Sequence, residues 1–478
     1  MESWGQQPSR EGMEIKAKRT VPGSPEKESR DEGCIISLLG VDQLLAILQL
    51  LPVPSILSFG MACHRFHSIS NMDSLWAAIC RRDWGSRVVD AWCTSARSKV
   101  GWKQLYCHML FPSAASWQRM DQGDMIPAPR ASHSMNNVAG KITVFGGGCD
   151  GGRHLDDTWV ASLSENILDG VAWQQVSIGT PSGRFGQSTI VVGDVLVLFG
   201  GINDRGIRQS DTWINKGMHV ANTEERSSWQ LLEVAQAPPP RGAHAGCYAG
   251  DRKVVIFGGI GSDGIRLRDT WMLDLSEAPV SWHEVVTLES PSARSGHTLT
   301  WIGGKHMVLF GGRGTKFEVL NDVWLLDMEG EYPIWVERKA FELHCAHDFP
   351  APRAGHSASL IFGGRILIFG GEDARRSRKG DIWVLDPNAG LEVERGTSYT
   401  STSYRCTSFN EYKFTRRFWK RLKQRGRPPG KRSFHGACTM DSSHAVFIFG
   451  GMIDGELSLA AALGLGFDDG LYMLQLVP

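Results

Sequence analysis

Five histidines occupy the same position in a phrase that recurs along the chain, which makes them the first candidates for chemistry. Each stands three residues after an arginine, at His133, His244, His297, His356 and His435. Imidazole is a common ligand of transition metals, so histidines gathered around one axis could bind a metal ion. The competing interpretation is a structural hydrogen bond repeated in every unit. The shared spacing from arginine favours the structural role, and we expect no metal and no other cofactor.

Arginines in the loops that follow a repeated Phe-Gly-Gly are the second set of candidates. Guanidinium groups bind carboxylates and phosphates through paired hydrogen bonds, which predicts a face for an acidic or phosphorylated target. The candidate residues are Arg205, Arg208, Arg266, Arg268, Arg313, Arg375, Arg376 and Arg378. Asp204, Asp263 and Glu318 lie among them, and exposed loops are charged in any case. An ordinary solvated surface is therefore the competing interpretation.

The charge balance limits the classes of partner. Lys and Arg number 51, and Asp and Glu also number 51, so no global field draws the chain to nucleic acid or to a membrane surface. A basic run at 416–432 suggests a nuclear-import signal or a nucleic-acid patch, but a solvated strand edge accounts for it equally well because Trp419 fits a strand. We expect a location in the cytoplasm, the nucleus or both. We do not expect nucleic acid or a membrane as a partner.

The cysteines and the N-terminal segment agree with that location. Ten cysteines are scattered without a Cys-x-x-Cys pair, which predicts reduced thiols rather than disulfides or a zinc site. Residues 1–33 are charged, contain Pro22 and Pro25, and lack the apolar stretch of a signal peptide, so we expect a disordered tail. No apolar run is long enough to span a bilayer.

The elements that position these residues come from a repeat that begins near Pro127. The repeated phrase is Arg-x-x-His, an apolar run ending in Phe-Gly-Gly, Asp-x-Trp and a later lone Trp, with departures in the second and last units. The arginines are Arg130, Arg184, Arg241, Arg294, Arg353 and Arg432. Each unit predicts four strands, a to d, of which strand b is continuous and apolar enough to be buried on both faces. Ser116-Trp117-Gln118-Arg119 has the pattern of a fourth strand and is expected to complete the last unit, which would leave no sheet edge open.

This phrase resembles the kelch repeat over roughly residues 116–478. The resemblance implies a mainly β fold, a six-bladed kelch β-propeller closed by the N-terminal strand. Gln187 stands where the other units have histidine, and Tyr472 replaces the tryptophan of strand c in the last unit. An insertion at 391–415 separates strands c and d of the fifth unit, and its role stays open.

Helical spacing precedes the repeats, at 34–82, followed by a helical linker at 83–115. Asp42 is predicted to cap a helix that Pro52 ends, and Asp73 is predicted to begin a later one. So small a module cannot bury all of its apolar side chains alone, which implies a partner. The strings Leu48–Pro52, Ala62-Cys63-His64-Arg65-Phe66 and Leu75–Cys80 resemble an F-box, with Gly40 where that family usually has proline.

The combination resembles the plant-type F-box/kelch-repeat proteins, which recruit substrates for SCF (SKP–cullin–F-box) ubiquitin ligases. The resemblance implies a non-catalytic subunit whose helices bind the SKP-type adaptor, and through it cullin, while the propeller binds an unidentified protein substrate. The implied adaptor-binding residues are Leu44, Leu45, Ile47, Leu48, Leu51, Pro52, Ile56, Leu57 and Trp76. Some relatives carry a flavin-binding domain before the F-box, and 33 residues are too few to hold one, so we expect no flavin.

Two other functions stay open. The chain could be a kelch scaffold outside a ligase, such as an actin-binding protein, or a metal-dependent kelch enzyme. The Glu-x-x-x-Asp-x-x-x-His ligand string of the iron-dependent type is absent from the sequence. Copurification with an SKP-type adaptor separates the ligase function from both alternatives.

Overall fold

A computed structural model of the protein describes residues 35–84, 89, 101–110, 112–163, 170–216, 228–338, 349–387, 389, 418–440, 445–454 and 465–477. Residues 1–33 and the insertion at 391–415 lie outside this range. The chain divides into two compact units, Met1–Leu75 and Trp76–Pro478.

The first unit is helical, and the helices continue into the beginning of the second unit. They are α1 (Ile35–Leu38), α2 (Val41–Leu48), α3 (Val53–Gly60), α4 (His64–Ser70), α5 (Asp73–Trp84) and α6 (Trp102–Leu110). Helix α2 begins after Gly40, whose N–H donates to Gln43 Oε1 at 3.0 Å. The predicted cap, Asp42, lies in the first helical turn instead. Pro52 precedes α3 in an extended conformation, and Asp73 begins α5 as predicted.

The second unit consists mainly of antiparallel sheets, and the first strand is β1 (Ala114–Arg119). The first sheet contains β2 (Ser134–Val138), β3 (Lys141–Phe145), β4 (Thr158–Leu163) and β5 (Val171–Ser177). The second contains β7 (Ser188–Val192), β8 (Val195–Phe199), β10 (Thr212–Lys216) and β11 (Ser228–Leu231), with a small pair formed by β6 (Arg184–Phe185) and β9 (Ile202–Asn203). The third contains β12 (Arg241–Gly242), β13 (Ala245–Tyr248), β14 (Lys253–Gly261), β15 (Arg266–Asp274) and β16 (Ser281–Glu284).

The remaining sheets repeat this order. The fourth contains β17 (Arg294–Ser295), β18 (Thr298–Gly303), β19 (His306–Gly314), β20 (Val319–Asp327) and β21 (Ile334–Arg338). The fifth contains β22 (Ala354–Ile361), β23 (Arg365–Glu372), β24 (Ile382–Leu385) and β25 (Trp419–Arg421). The sixth contains β26 (Lys423–Gly426), β28 (Gly436–Thr439), β29 (Ala445–Phe449) and β32 (Leu471–Val477), and a small sheet beside it contains β27 (Arg432–Ser433), β30 (Met452–Asp454) and β31 (Leu465–Phe467).

The innermost strands of the six sheets form a closed ring. Each strand a contacts strand a of the next sheet, in the cyclic order β2, β7, β13, β18, β22, β28 and back to β2. Strand β1 pairs antiparallel with β32, with Trp117 opposite Leu474, which confirms that the N-terminal strand completes the last sheet. The sequence did not predict β26, which pairs parallel with β1 on its other side.

Six backbone hydrogen bonds close the ring around its axis at the start of the strands a. The residues, each just before the histidine or glutamine of its unit, are Ser132, Gly186, Ala243, Gly296, Gly355 and Phe434. The N–H of each donates to the carbonyl oxygen of the residue before it in the cycle at 2.6–2.9 Å, and Ser132 donates to Phe434. We call these residues the axial ring. Farther along the strands a, Asn136, Thr189 and Ser359 line a cavity of about 410 Å³.

Strand b supplies the core between neighbouring sheets. Its phenylalanine is buried and packs against the strand-d tryptophan of the following sheet, with ring centroids 4.9–5.5 Å apart. The pairs are Phe449–Trp173, Phe145–Trp229, Phe199–Trp282, Phe257–Trp335, Phe310–Trp419 and Phe369–Trp117. The lone tryptophan of each repeat is thus a packing residue between sheets.

Candidate functional site

Helices α2 and α3 separate the predicted adaptor-binding residues into two groups. Leu44, Leu48 and Ile56 are at most 1% exposed and form the interior of the helical unit. Ile47, Pro52 and Leu57 are exposed, and Leu45 and Leu51 are half-buried. The buried three cannot contact a partner directly, because their helix faces already pack inward. We correct the predicted contact surface accordingly.

Exposed apolar side chains that the sequence pattern did not select lie on the same helices and in the turns that end them. Leu50 is 83% exposed, Met61 80% and Val41 42%, similar to Ile47 and Leu57 at 42% each. We call Val41, Ile47, Leu50, Leu57 and Met61 the helical apolar surface. Its only signal in the sequence is an excess of apolar residues over the number that one helix face can hold.

The helical unit is held together by contacts that leave this surface uncovered. Arg65 donates to the carbonyl oxygens of Ser37 and Leu39, both at 2.5 Å, which satisfies carbonyls at the end of α1. Cys63 Sγ accepts from Phe66 N–H at 3.4 Å and caps α4, and the Phe59 and Phe66 rings stack at 4.2 Å. The unit therefore has its own interior.

Trp76, the last predicted adaptor-binding residue, is buried between α5 and α6. Its ring contacts Tyr106 at 5.2 Å, and Lys103 Nζ lies 5.4 Å from its centroid. Tyr106 donates to Asp83 Oδ2 at 2.8 Å, and burial together with this bond raises the Tyr106 pKa. Trp76 joins the two helices and is corrected from a contact residue to a packing residue.

The predicted structural hydrogen bond of these histidines is present in at least three of the units. The described hydrogen bonds join His244 to Ser188, His356 to Thr298 and His435 to Ser357 at 2.8–3.0 Å. All five rings also share an edge contact with the strand-b phenylalanine of the preceding sheet, at 5.0–5.6 Å. In the second unit Gln187 Nε2 donates to the Phe145 carbonyl at 3.1 Å.

Burial keeps these histidines neutral. Burial, together with the charge of the neighbouring arginine, lowers the pKa of His133, His244 and His356 to about 3. The same causes hold the pKa of His297 and His435 well below the usual value. Among the described residues, no group of three or more His, Cys, Asp or Glu side chains could hold a metal ion.

The repeated arginine organises each unit through a buried ion pair. Arg130 is fully buried, and its guanidinium donates to both carboxylate oxygens of Asp157 at 2.7 and 3.0 Å and to the carbonyl of Gly146 at 3.1 Å. Asp157 also accepts from Trp159 Nε1 at 2.7 Å. Desolvation alone would raise the Asp157 pKa, but the hydrogen bonds and charge of Arg130 outweigh it and lower the pKa. Equivalent pairs are Arg184–Asp211, Arg241–Asp269, Arg294–Asp322, Arg353–Asp381 and Arg432–Asp468.

The predicted target-binding arginines share one end of the sheets but differ in availability. Arg205, Arg268, Arg375 and Arg376 are exposed, and Arg208 and Arg266 are half-buried. Arg313 pairs with Glu372 at 3.0 Å, and Arg378 is buried in an ion pair with Asp454. We therefore correct Arg378, and Arg313 in part, to residues that tie neighbouring loops together.

Three apolar side chains at the tips of these loops were missed by the sequence analysis. Ile207 is 54% exposed, Ile265 60% and Phe317 68%. Each lies in the tight turn between strands b and c, and aligning the six turns would have shown them. Their exposure gives this end of the sheets an apolar as well as a cationic character.

The basic run is in part a strand edge. Arg421, Lys423, Arg425 and Arg427 are exposed, and β26 follows the outer side of β1. Gln424 fixes this strand, because its Oε1 accepts from Trp117 Nε1 and its Nε2 donates to the Gly380 carbonyl, both at 2.7 Å. No helix among the described residues is long and apolar enough to cross a membrane.

Comparison with known proteins gives the family. An F-box-like model matches residues 41–82, and a model of the KLHDC2/KLHL20/DRC7 kelch-repeats domain matches 97–216 and 206–390. An F-box/kelch-repeat protein of Arabidopsis thaliana, At1g51550, is 44% identical and covers 96% of both chains. Adagio-like protein 1 of rice (Oryza sativa subsp. japonica) is 27% identical over 85% of this chain, which spans 60% of that protein.

A solved structure agrees on the fold. The chain titled "Structure of YjhT" matches with a TM-score of 0.50 and 14% identity, covering 72% of this chain and 95% of its own length. At that identity the likeness concerns the fold alone. The F-box-like helices, the kelch repeats and the full-length match together show that the chain belongs to the plant-type F-box/kelch-repeat proteins.

Proposed function

We propose that the chain is the substrate-recognition subunit of an SCF-type ubiquitin ligase. The helical unit binds the SKP-type adaptor, and through it cullin, and the kelch propeller binds the protein to be ubiquitinated. The observation that carries the proposal is the helical apolar surface. The unit buries Leu44, Leu48 and Ile56 in its interior, but Leu50 and Met61 are more than three-quarters exposed. This exposed apolar area is suited to contact with a partner chain.

The proposed role requires geometry rather than bond chemistry. A subunit that holds its target near the ubiquitin carrier replaces a bimolecular encounter with an effective concentration of roughly millimolar. The six buried arginine–aspartate pairs and the closed axial ring make the propeller a stiff support for that purpose. We infer that the chain itself is not catalytic and acts in the cytoplasm, the nucleus or both.

The loops between strands b and c are the proposed target-binding face. Arg205, Arg268, Arg375 and Arg376 are exposed there and available for carboxylates or phosphates. This charge favours an acidic or phosphorylated protein target over nucleic acid, because the cations form a small group within a chain of zero net charge.

The experiment measures binding of the purified full-length chain to a recombinant plant SKP-type adaptor. Leu50→Glu and Leu57→Glu should weaken binding at least tenfold without changing the melting temperature, because both side chains are exposed. Leu288→Glu is the matched control, since Leu288 is a fully exposed leucine of the second unit and should leave binding unchanged.

Two results would favour other functions. If the folded wild-type chain never binds the adaptor, the kelch scaffold outside a ligase becomes the better explanation. A stoichiometric metal ion in the purified protein would favour the metal-dependent enzyme. Leu48→Glu is unsuitable as a test because Leu48 is buried, so its effect on binding would be mixed with unfolding.

A further inference from the structure

One member of the axial ring is unlike the other five. All six have positive φ, between 53° and 66°. Five of the positions hold small residues, Ser132, Gly186, Ala243, Gly296 and Gly355, whereas the sixth holds Phe434. A bulky side chain in the left-handed region is strained, and such strain persists where something else favours the residue. The backbone ring itself does not need an aromatic side chain, because five units form it without one.

The Phe434 ring lies over its glycine neighbours in the axial ring. A methyl group at position 355 would lie 2.8 Å from Phe434 Cε1 and Cζ, and one at position 296 would lie 3.7 Å from Cε1. Glycine at these two positions leaves the space that the aromatic ring occupies. Phe434 is half-buried rather than enclosed, and the preceding residue, Ser433, pairs with Met452 at the start of a b–c loop. Phe434 therefore lies at the propeller axis, at the end that carries the b–c loops.

A second aromatic side chain, Phe317, repeats this pattern on a nearby loop. It has φ of 63° at the turn position where the second and third units have Gly206 and Gly264, and it is 68% exposed. Arg266 stacks on it, with the guanidinium carbon 4.7 Å from the ring centroid. Two strained aromatic residues at the same end of the sheets indicate a common role.

Arg266 connects the two aromatic residues. Its Nε donates to Ser295 Oγ at 3.0 Å, and Ser295 precedes Gly296, over which Phe434 lies. This bond and the stack on Phe317 fix the guanidinium plane, and Glu318 acts on Arg266 through its charge without forming one of the described ion pairs. A guanidinium held in this way is ready to bind a carboxylate with little further loss of side-chain freedom.

The surrounding loops of the third to fifth sheets leave positive charge uncompensated. Ion pairs within the protein engage Arg313 with Glu372, Arg378 with Asp454 and Lys379 with Asp373. The other charged residues of these loops are Arg266, Arg268, Lys316, Arg375 and Arg376 against Asp263 and Glu318. The excess of cations favours an anionic partner at this part of the surface.

We propose that Arg266, Phe317 and Phe434 form a binding site for an acidic peptide segment of a partner protein. An apolar side chain of the peptide packs on Phe434 at the axis, and a neighbouring Asp or Glu carboxylate pairs with Arg266. The proposal rests on the proposed function, in that it names the chemistry of the target segment that the propeller holds.

The test selects peptides from a displayed library of random 12-residue sequences on the full-length chain. We expect the selected sequences to combine an apolar residue with a nearby Asp or Glu. A synthetic peptide of the selected consensus should bind Phe434→Gly and Arg266→Gln at least tenfold more weakly than the wild type. Arg252→Gln, which removes an exposed arginine from the a–b turn of the same sheet, should change the affinity less than twofold.

Thermal melting separates recognition from packing. Phe434→Gly should melt no lower than the wild type, because glycine is the natural residue at three of the equivalent positions. The proposal would be overturned if Phe434→Gly melted at a much lower temperature or bound the peptide as tightly as the wild type. It would also be overturned if the library gave no peptide, or only peptides without acidic residues. Stronger binding of a phosphoserine version of the peptide would identify phosphate rather than carboxylate as the ligand and would overturn the carboxylate assignment. Adaptor binding measured on the same proteins tests the ligase function separately.

Discussion

The helical unit and the ring of sheets differ in how completely they bury their large apolar side chains. In the ring, the largest buried side chains recur in equivalent places, so each strand-b phenylalanine contacts the strand-d tryptophan of the next sheet. In the helical unit, short helices carry apolar residues on more than one face, and only part of them can be internal. Leu48 is 1% exposed, while Leu50, two residues later, is 83% exposed. The difference shows that the repeated aromatic core of the ring is enclosed, whereas the helical unit keeps part of its apolar side chains at the surface.

The largest effect should come from removing one buried arginine of the ring. Arg241→Met leaves the Asp269 carboxylate and the Gly258 carbonyl without their donor, so we expect a loss of about 3–5 kcal/mol in the free energy of unfolding. Arg268→Gln, an exposed arginine of the same sheet, should change it by less than about 0.5 kcal/mol. Urea unfolding followed by fluorescence measures both, and equal effects would contradict the structural role of the repeated pair.

Within the helical unit, two leucines should separate stability from binding. Leu48→Ala leaves a cavity and should cost about 2–5 kcal/mol of unfolding free energy, whereas Leu50→Ala should cost less than about 0.5 kcal/mol. When only folded protein is compared, Leu50→Ala should weaken adaptor binding more than Leu48→Ala does. Chemical denaturation followed by adaptor titration checks the pair, and a Leu50→Ala protein that unfolds easily but binds normally would reverse the assignment.

Acidification should weaken the ring through its neutral histidines. An unfolded histidine has a pKa of about 6.5, whereas that of folded His244 is about 3, so the unfolded chain binds more protons between these values. Stability therefore falls as pH drops below 6.5, by about 2 kcal/mol per such histidine at pH 5. His244→Gln, which copies Gln187, should reduce the loss between pH 7.5 and 5 by about that amount.

The reverse substitution is the control for this pH effect. Gln187→His should add a comparable loss on acidification if the new ring is buried in the same way. Unfolding curves at pH 7.5, 6 and 5 provide the measurement, and this window avoids titration of the aspartates, whose usual pKa is near 4. A pH dependence that is identical in all three proteins would show that the buried histidines do not control it.

The smallest effect should come from a single tryptophan hydrogen bond. Trp282→Phe keeps an aromatic ring against Phe199 but removes the Nε1 bond to Thr212 Oγ1 at 3.0 Å, for an expected loss of about 1 kcal/mol. Trp301→Phe removes a solvent-accessible bond to the Gly304 carbonyl and should cost less. Thermal melting of the two variants is the check, and a larger shift for Trp301→Phe would contradict the importance of burial.

Much of the ring was predictable because its information is periodic. The arginine, glycine pair and tryptophan recur at regular spacing, and the lone pattern at Trp117 correctly indicated a strand that joins the last sheet. Strand β26 was not predictable, since Lys-Gln-Arg-Gly has no alternation of apolar residues and its partner lies about 300 positions earlier in the chain.

The site was less predictable because exposure depends on contacts that spacing does not contain. Helix α2 has apolar residues on several faces, so the pattern could not tell that Leu44 and Leu48 point inward. Arg378 looked available, but its partner Asp454 comes from the next unit of the ring. In the sequence, Phe434 is only an exception among the small residues that the other units have at the equivalent position. Its strain becomes evident from the positive φ angle of its backbone.

The position of β1 between β26 and β32 affects how the protein is made. This strand leaves the ribosome early, yet β32 follows roughly 350 residues later, or about 20–70 s at ordinary rates of synthesis. Its backbone donors and acceptors have no native neighbour until β26 is made, roughly 300 residues after β1, and its antiparallel neighbour β32 comes later still, while the first five sheets are already available to form. A nascent chain paused before residue 471 should therefore be a substrate for chaperones, and closure should be among the final events after release.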